Sequence, residues 1–185
     1  MKIRPADSTD IADIREIYAH AVLHGTGTYE LDPPDEAEMT RRFNHITGNN
    51  FPWLVAEEGG VLLGYAYASP FRTRPAYRWA IEDSVYVAPE AKGKGIGKAL
   101  LIELLDLSQA LGFHQMIAVI GDGKGNKGSV ALHQSTGFSH SGTIAGSGFK
   151  FGQWVDTVIM QKALNGGAES LPDQTRFPAS DWKRL

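Results

Sequence analysis

The stretch that decides the fold spans residues 84–110 and reads SVYVAPEAKGKGIGKALLIELLDLSQA. It opens on β-branched and aromatic residues, which favour a strand, and Pro89 ends that strand. Glycines then stand at the alternate positions 93, 95 and 97, and leucines follow at helical spacing. The pattern predicts a short strand, a glycine-rich turn and a long helix.

The glycine-rich turn is suited to binding a pyrophosphate group. Glycines let a ligand approach the backbone closely, and the first N–H groups of a helix are unpaired and attract an anion. Lysines within the turn add positive charge. The residues that we expect around the anion are Lys92, Gly93, Lys94, Gly95, Ile96, Gly97 and Lys98.

Two common phosphate-binding motifs do not fit this glycine-rich turn. A P-loop requires a glycine where Lys92 stands and a serine or threonine where Ala99 stands, and the GxGxxG fingerprint requires a glycine at Lys98. A second loop, with glycines at positions 123, 125 and 128, does match GxGxxG. Its predicted helix is short, and no acidic residue ends a strand at the ~20-residue distance of a Rossmann fold. That interpretation is therefore rejected, and the loop is better explained by Asn126, whose amide can both donate and accept.

Composition and charge exclude several classes of protein. Hydrophobic residues make up 42% of the chain and charged residues 21%, as in an ordinary globular domain. The net charge of −3 argues against a general binder of nucleic acid or of anionic membranes. The chain has no cysteine, which excludes disulfides and a cysteine nucleophile. A polar N-terminus and the lack of a ~20-residue apolar run predict a cytoplasmic protein without a signal peptide.

Hydrophobic periodicity predicts an α+β fold with a mixed sheet. Strands are predicted at 2–6, 53–57, 61–68, 79–87, 115–120, 138–144 and 154–162, with the last two around a turn at 146–152. Helices are predicted at 9–24 and 35–47, after the glycine turn, and at 129–136. The element order is β-α-α-β-β-β-α-β-α-β-β. Residues 1–164 are predicted to form one domain, and 165–185 an extended or disordered tail that Phe177 and Trp182 dock.

Several segments resemble the phosphinothricin and methionine sulfoximine acetyltransferases, a branch of the GNAT N-acetyltransferase superfamily. The KGKGIG turn is similar to the (Gln/Arg)-x-x-Gly-x-(Gly/Ala) signature of the superfamily, with Lys92 where Gln or Arg is usual. The other segments are FPWLVAE at 51–57, PFRTRPAYRW at 70–79, IEDSVYV at 81–87, NKGSVALH at 126–133 and GFKFGQWVD at 148–156. The resemblance covers about residues 3–164.

The resemblance implies a fold, a cofactor and an assembly. The fold is a mixed, mostly antiparallel sheet of about seven strands flanked by about four helices, which matches the predicted element order. The co-substrate is acetyl-CoA, and the assembly is a homodimer without nucleic acid or membrane partners. The residues implied at the cofactor besides the glycine turn are Val85, Tyr86, Val87, Asn126 and Ser129.

Acetyl transfer to an amine needs a base, because an amino acid's amine is protonated near neutral pH and must lose a proton to attack a thioester. Glu82 is the candidate, and the catalytic glutamate of the family matches this position. Its neighbour Asp83 should point to the opposite face of the strand. The alternative is that Glu82 only pairs with one of the nearby arginines.

The tetrahedral intermediate needs a hydrogen-bond donor, and in this superfamily the backbone N–H of Val85 or Tyr86 would supply it. His133 stands where many members of the superfamily carry a tyrosine. Its imidazole titrates near neutrality and can act as an acid or orient an acidic water. A histidine that is hydrogen-bonded for packing is an equal alternative. The other five histidines show no metal-ligand spacing, so no metal is expected.

The substrate is expected beside the loop that carries Arg72, Thr73, Arg74 and Tyr77. Arginines and a phenol suit a tetrahedral group with oxygens, and the resemblance implies that they hold a phosphinate or sulfoximine head. The alternative is a solvated basic loop. Residues 149–154 are expected to form the opposite wall, near a dimer interface. Further substrate contacts are expected from Thr28, Tyr29, Glu82, Asp83 and Ser84.

Together these features predict an acetyl-CoA-dependent N-acetyltransferase that acts on the α-amine of a small amino acid analogue. Direct attack in a ternary complex is expected, because no cysteine is present to carry the acyl group. An acetyltransferase for another small amine or for a protein N-terminus remains an alternative. A non-catalytic acyl-CoA-binding sensor is a second one.

Overall fold

The computed structural model describes residues 1–175 and Phe177, and it confirms the predicted α+β fold and its element order. The strands are β1 (Lys2–Pro5), β2 (Trp53–Glu58), β3 (Val61–Pro70), β4 (Ala80–Val87), β5 (Gln115–Gly121), β6 (Ser139–Lys150) and β7 (Gln153–Ala163). The helices are α1 (Ile11–His24), α2 (Glu36–Thr47), α3 (Ile96–Ala110) and α4 (Lys127–Ser135). In the described part of the chain, no helix is long and apolar enough to span a bilayer.

The seven strands form one sheet in the order β1-β2-β3-β4-β5-β7-β6. Every neighbouring pair is antiparallel except β4 and β5, which are parallel. The sheet is therefore mixed and mostly antiparallel, and its parallel pair lies at the centre.

The helices cover both faces of the sheet, and β4 shows which helix covers which. Tyr86 meets Tyr18 of α1 edge to face, with ring centroids 5.0 Å apart. Its neighbours Val85 and Val87 point the other way, toward Gly97 of α3. Helix α2 shares the face of α1, because Phe43 packs on Trp53 of β2. The buried apolar residues of the strands are thus enclosed on both sides.

Most boundaries differ from the predicted ones by one or two residues, and two of the differences have a clear physical cause. The first helix is preceded by a 3-10 turn at Ser8–Asp10, because Asp7 and Asp10 form a capping box that starts the turn there. Strand β6 continues to Lys150, whereas its glycines predict a turn from residue 146. The sheet instead absorbs these glycines at a register shift between Ile144 and Gly148, and the chain reverses after Lys150.

The end of the described chain lies against the domain. The ring of Phe177 packs edge to face on Phe51 and Phe113, at centroid distances of 6.0 and 5.5 Å. Trp182, the other residue expected to dock the tail, lies outside the described residues. The extent of the tail stays a prediction.

Candidate active site

The central strands separate partway along their length and open a cleft. Strands β4 and β5 pair from Ala80 with Gln115 to Asp83 with Ala118, and no further. Beyond that point a cavity of about 540 Å³ lies between them. The facing strand edges carry backbone polar groups that no strand of the sheet satisfies, so the cleft can bind an extended ligand by its backbone. The expected site residues that line it are Thr28, Tyr29, Glu82, Asp83, Ser84, Val85, Tyr86, Val87, Lys92, Asn126, Ser129 and His133.

The glycine turn lies at the start of α3, next to this cleft. Gly93 and Gly95 have φ values of 77° and 81°, in the left-handed region that favours glycine. A Cβ at either position would meet no protein atom within 4 Å, so open space lies over the backbone. The N–H groups of Ile96, Gly97 and Lys98 have no partner within the helix. The turn therefore presents a free, electropositive backbone to the solvent.

Not every side chain of the turn is available to a ligand. Lys92 lines the cleft, and Lys94 and Lys98 are exposed. The side chain of Ile96 is buried in the core, at 5% exposure, so this residue can offer a ligand only its backbone. A Cβ at Gly97 would lie 3.4 Å from side-chain atoms of Val87, which keeps α3 close to the strand.

Glu82 lies on the face of the sheet that carries α1 and α2. It is paired directly opposite Ser69 of β3. Burial and, to a smaller extent, the charge of Asp83 raise the pKa of its carboxyl to about 7, and the charge of Arg72 partly opposes them. Within the described residues no cation forms an ion pair with it. Simple pairing with an arginine therefore does not account for Glu82, and its pKa suits a base that works near neutral pH.

Asp83 points to the opposite face and meets His133 of α4. Nε2 of His133 lies 2.9 Å from Oδ2 of Asp83, and Nδ1 lies 2.7 Å from the backbone oxygen of Ser129. A carbonyl oxygen only accepts, so Nδ1 carries a proton, and a second proton must lie between Nε2 and the carboxylate. Burial lowers the pKa of His133, but the hydrogen bond and charge of Asp83 outweigh it, so the pKa is raised. Asp83 also lines the cleft, so its place among the substrate contacts stays a prediction.

The basic loop is not part of the cleft. Arg72, Thr73, Arg74 and Tyr77 are exposed, and none of them lines the cavity in the described part of the structure. Arg72 lies over the ring of Phe71, 4.4 Å from its centroid, and Tyr77 packs edge to face on the same ring. Only the charge of Arg72 acts on Glu82.

The segment between α1 and α2 is fastened over the cleft by the hairpin of β6 and β7. The hydroxyl of Tyr29 lies 2.8 Å from Oγ1 of Thr157, and Nζ of Lys150 donates to the backbone oxygen of Thr28 at 2.8 Å. Lys150 is only 2% exposed. Its role is missed by sequence reasoning, because a lysine at the end of a strand is ordinarily solvated. Gly148 leaves room for the ring of Tyr29, which a Cβ would approach to 2.8 Å.

Comparisons with known proteins agree with this architecture. The model of the acetyltransferase (GNAT) family matches residues 12–138. A phosphinothricin N-acetyltransferase of Alcaligenes faecalis is 46% identical over 171 residues, which cover 92% of this chain and 86% of the relative. An L-methionine sulfoximine/L-methionine sulfone acetyltransferase of Salmonella typhimurium is 39% identical over 165 residues, covering 89% and 95%.

Solved structures point the same way. The crystal structure of a GNAT superfamily phosphinothricin acetyltransferase from Sinorhizobium meliloti, in complex with AcCoA, superimposes with a TM-score of 0.95. It is 50% identical in sequence, and the match covers 98% of both chains. These similarities agree with the parted central strand pair and with the open glycine turn before α3. The chain therefore belongs to the acetyltransferase (GNAT) family.

Proposed function

We propose that this protein transfers the acetyl group of acetyl-CoA to the α-amine of a small amino acid analogue such as phosphinothricin, methionine sulfoximine or methionine sulfone. The observation that carries the proposal is Glu82, a half-buried carboxylate without an ion-pair partner among the described residues, where the central strands part. Its pKa of about 7 suits proton abstraction from an amine. The names of the similar proteins support the choice of substrate class.

The residues of the cleft fit acetyl-CoA. The open backbone of Gly93 and Gly95 and the helix-start N–H of Gly97, with Lys92, Lys94 and Lys98 around them, would hold the pyrophosphate. The free edge of Val85–Val87, with Asn126 and Ser129 across the cleft, would hold the extended arm. When bound, acetyl-CoA supplies an activated acyl group as a thioester.

The protein's own groups then act on the amine and on the reacting carbonyl. Glu82 takes a proton from the substrate ammonium, so that the neutral amine can attack. The backbone N–H of Val85 or Tyr86 donates to the oxygen that becomes negative. His133 and Asp83 share one proton on the other face of β4, and the imidazole would donate it to the leaving thiolate of coenzyme A. The acyl group passes directly to the amine, because the chain has no cysteine.

The substrate's remaining groups are assigned to the exposed basic loop and to residues of the cleft. Arg72, Thr73, Arg74 and Tyr77 would meet the oxygens of the head group from the exposed loop. The charge of Arg72, which reaches Glu82, supports this assignment against a purely solvated loop. Thr28, Tyr29 and Ser84 line the cleft nearby and would complete the pocket.

We also propose a homodimer that works in the cytoplasm, with residues 1–164 as its catalytic domain and 165–185 as a tail. The tip of the β6–β7 hairpin supports the dimer. Phe149, Phe151 and Trp154 are 56%, 58% and 70% exposed there, and a patch of exposed aromatic rings is typical of an interaction surface.

A thiol-release assay tests the proposed activity. The panel contains phosphinothricin, methionine sulfoximine, methionine sulfone, a polyamine and a peptide with a free N-terminus. We expect turnover with the amino acid analogues at rates far above those with the other amines. Turnover only with the polyamine or the peptide would favour the alternative acetyltransferases. Binding of acetyl-CoA without thiol release from any amine would identify a sensor instead.

A further inference from the structure

A second cavity, of about 150 Å³, lies on the same face of the sheet as Glu82. Its walls come from α1, α2, β2 and β3. Four of its residues are aromatic, namely Tyr18, Trp53, Tyr65 and Tyr67, and Met39 and Ile46 of α2 complete the apolar lining. None of the residues expected at the substrate contributes to it.

The cavity adjoins the proposed base. Ser69, which lines it, is paired directly opposite Glu82, and such residues have Cβ atoms about 5 Å apart on the same face. Tyr67 is paired with Ser84 and lines both this cavity and the central cleft. A small molecule whose amine lies at Glu82 can therefore reach the cavity with a side chain of a few bonds.

The walls of the cavity favour an uncharged, polarizable group. The rings of Trp53 and Tyr67 stack with centroids 4.3 Å apart, and aromatic rings attract methyl groups and sulfur. Burial raises the pKa of Tyr67 to about 12 and that of Tyr65 well above its ordinary value, so both phenols stay neutral. The one cation on the cavity wall, Arg42, is already paired with Glu30 at 2.7 Å and with Glu38 at 2.6 Å.

We propose that this aromatic cavity receives the methyl-bearing end of the substrate's side chain, so that the enzyme selects unbranched amino acids that end in a methyl group on sulfur or phosphorus. The inference rests on the proposed function, since it places the amine at Glu82. The volume of about 150 Å³ equals that of about five liquid waters, which is enough for a methylated sulfone or phosphinate. The oxygens of that group remain on the side of Arg72.

Enlarging the cavity tests this assignment. Met39→Ala should raise the ratio of kcat/KM for ethionine sulfone to that for methionine sulfone by about tenfold, because one methylene in an apolar pocket is worth at least that much. Met160→Ala is the matched control, since Met160 is equally buried but lies on β7, away from the cavity. It should leave the ratio unchanged. An unchanged ratio in Met39→Ala overturns the inference.

Milder probes keep the inference testable if Met39→Ala does not fold. Ile46→Val removes one methyl group from the wall and should shift the same ratio in the same direction. In the unmodified enzyme with coenzyme A, the ¹³C-labelled methyl group of methionine sulfone should show an upfield proton shift from the surrounding rings. A bound methyl group that resonates at its free position contradicts the assignment.

The two proposals fail in different ways. If methionine sulfone is acetylated while the ratio and the methyl shift stay unaffected, the cavity is not the side-chain pocket and the proposed function stands. If no amino acid analogue is acetylated, the proposed function fails, and the inference fails with it.

Discussion

Glu82 and Asp83 are neighbours in the sequence with opposite surroundings. Strand alternation turns Glu82 toward α1 and α2, and Asp83 toward His133 of α4. Asp83 shares a proton with His133, whereas Glu82 has no such partner among the described residues. Glu82 keeps a raised pKa because burial penalises its charge and Asp83 repels it.

Glu82→Gln should lower kcat at least about 100-fold, because a positioned general base ordinarily accelerates a reaction by at least that factor. Acetyl-CoA should still bind to the variant. In the native enzyme the rate should rise with pH up to about 7, where Glu82 ionises. Because its pKa is raised by folding, ionisation costs folding free energy as the pH rises. Glu82→Gln should thus melt at a higher temperature than the native enzyme at pH 8 and at a similar one at pH 4. An unchanged kcat would remove Glu82 from the role of base.

Asp83→Asn tests the coupling between the two carboxylates. Loss of the negative charge should lower the pKa of Glu82, so the acid limb of the pH–rate profile should move to lower pH. The pKa of His133 should fall as well, because its partner no longer stabilises the protonated ring. Asp10→Asn is the control, since Asp10 is also buried and paired, but with Arg4. A profile that stays in place in Asp83→Asn would contradict the coupling.

At the scale of elements, the glycine turn before α3 depends on backbone conformation. Gly95→Ala should cost roughly 1–2 kcal/mol of stability, because an L-residue is strained at its φ of 81°. It should also raise the KM for acetyl-CoA. Gly60→Ala is a close control, with φ of 82° and the same open surroundings in the β2–β3 hairpin. Gly60→Ala should lose similar stability and keep the native KM for acetyl-CoA. A raised KM in Gly60→Ala would mean that the raised KM of Gly95→Ala reflects lost stability rather than a lost contact with the cofactor.

Lys150 of β6 fastens the segment between α1 and α2, which lines the cleft. Lys150→Met should loosen the segment before α2 and raise the KM for the amine by about tenfold, since a charged hydrogen bond contributes about 1.5 kcal/mol or more. The KM for acetyl-CoA should change little. Lys162→Met is the control, because Nζ of Lys162 donates to Thr136 at 2.7 Å in a similar bond on α4. Equal effects of both variants on the amine would argue against a specific role of Lys150.

At the scale of the whole molecule, the proposed dimer is expected to form through the exposed aromatic tip of the β6–β7 hairpin. Trp154→Asp should convert a dimer into a monomer, measured by light scattering, because it places a charge in an apolar interface. Val61→Asp should not, since Val61 is exposed at 57% on β3, far from the hairpin in the sheet order. A native protein that is monomeric at micromolar concentration would contradict the dimer.

Local patterns were sufficient for the architecture of this protein. Alternation and helical spacing depend on neighbours within a few residues, so the elements, their order and the glycine turn could be read from the chain. The base candidate and the opposite direction of Asp83 follow from position and alternation along one strand. The turn predicted at residues 146–152 was misplaced, because glycines serve equally in turns and in bulges, and only the pairing of β6 with β7 distinguishes the two.

The tertiary structure decided what depends on distance between remote residues. Four features of the site depend on residues that are far apart in the chain. They are the raised pKa of Glu82, the proton held between Asp83 and His133, the buried Lys150 and the aromatic cavity. Burial and pairing are properties of the packed molecule, because they depend on which surfaces exclude water together. The sequence by itself therefore determined the family and the acetyl-transfer reaction. Only the tertiary structure decided that Glu82 has a raised pKa and that Asp83 is hydrogen-bonded to His133.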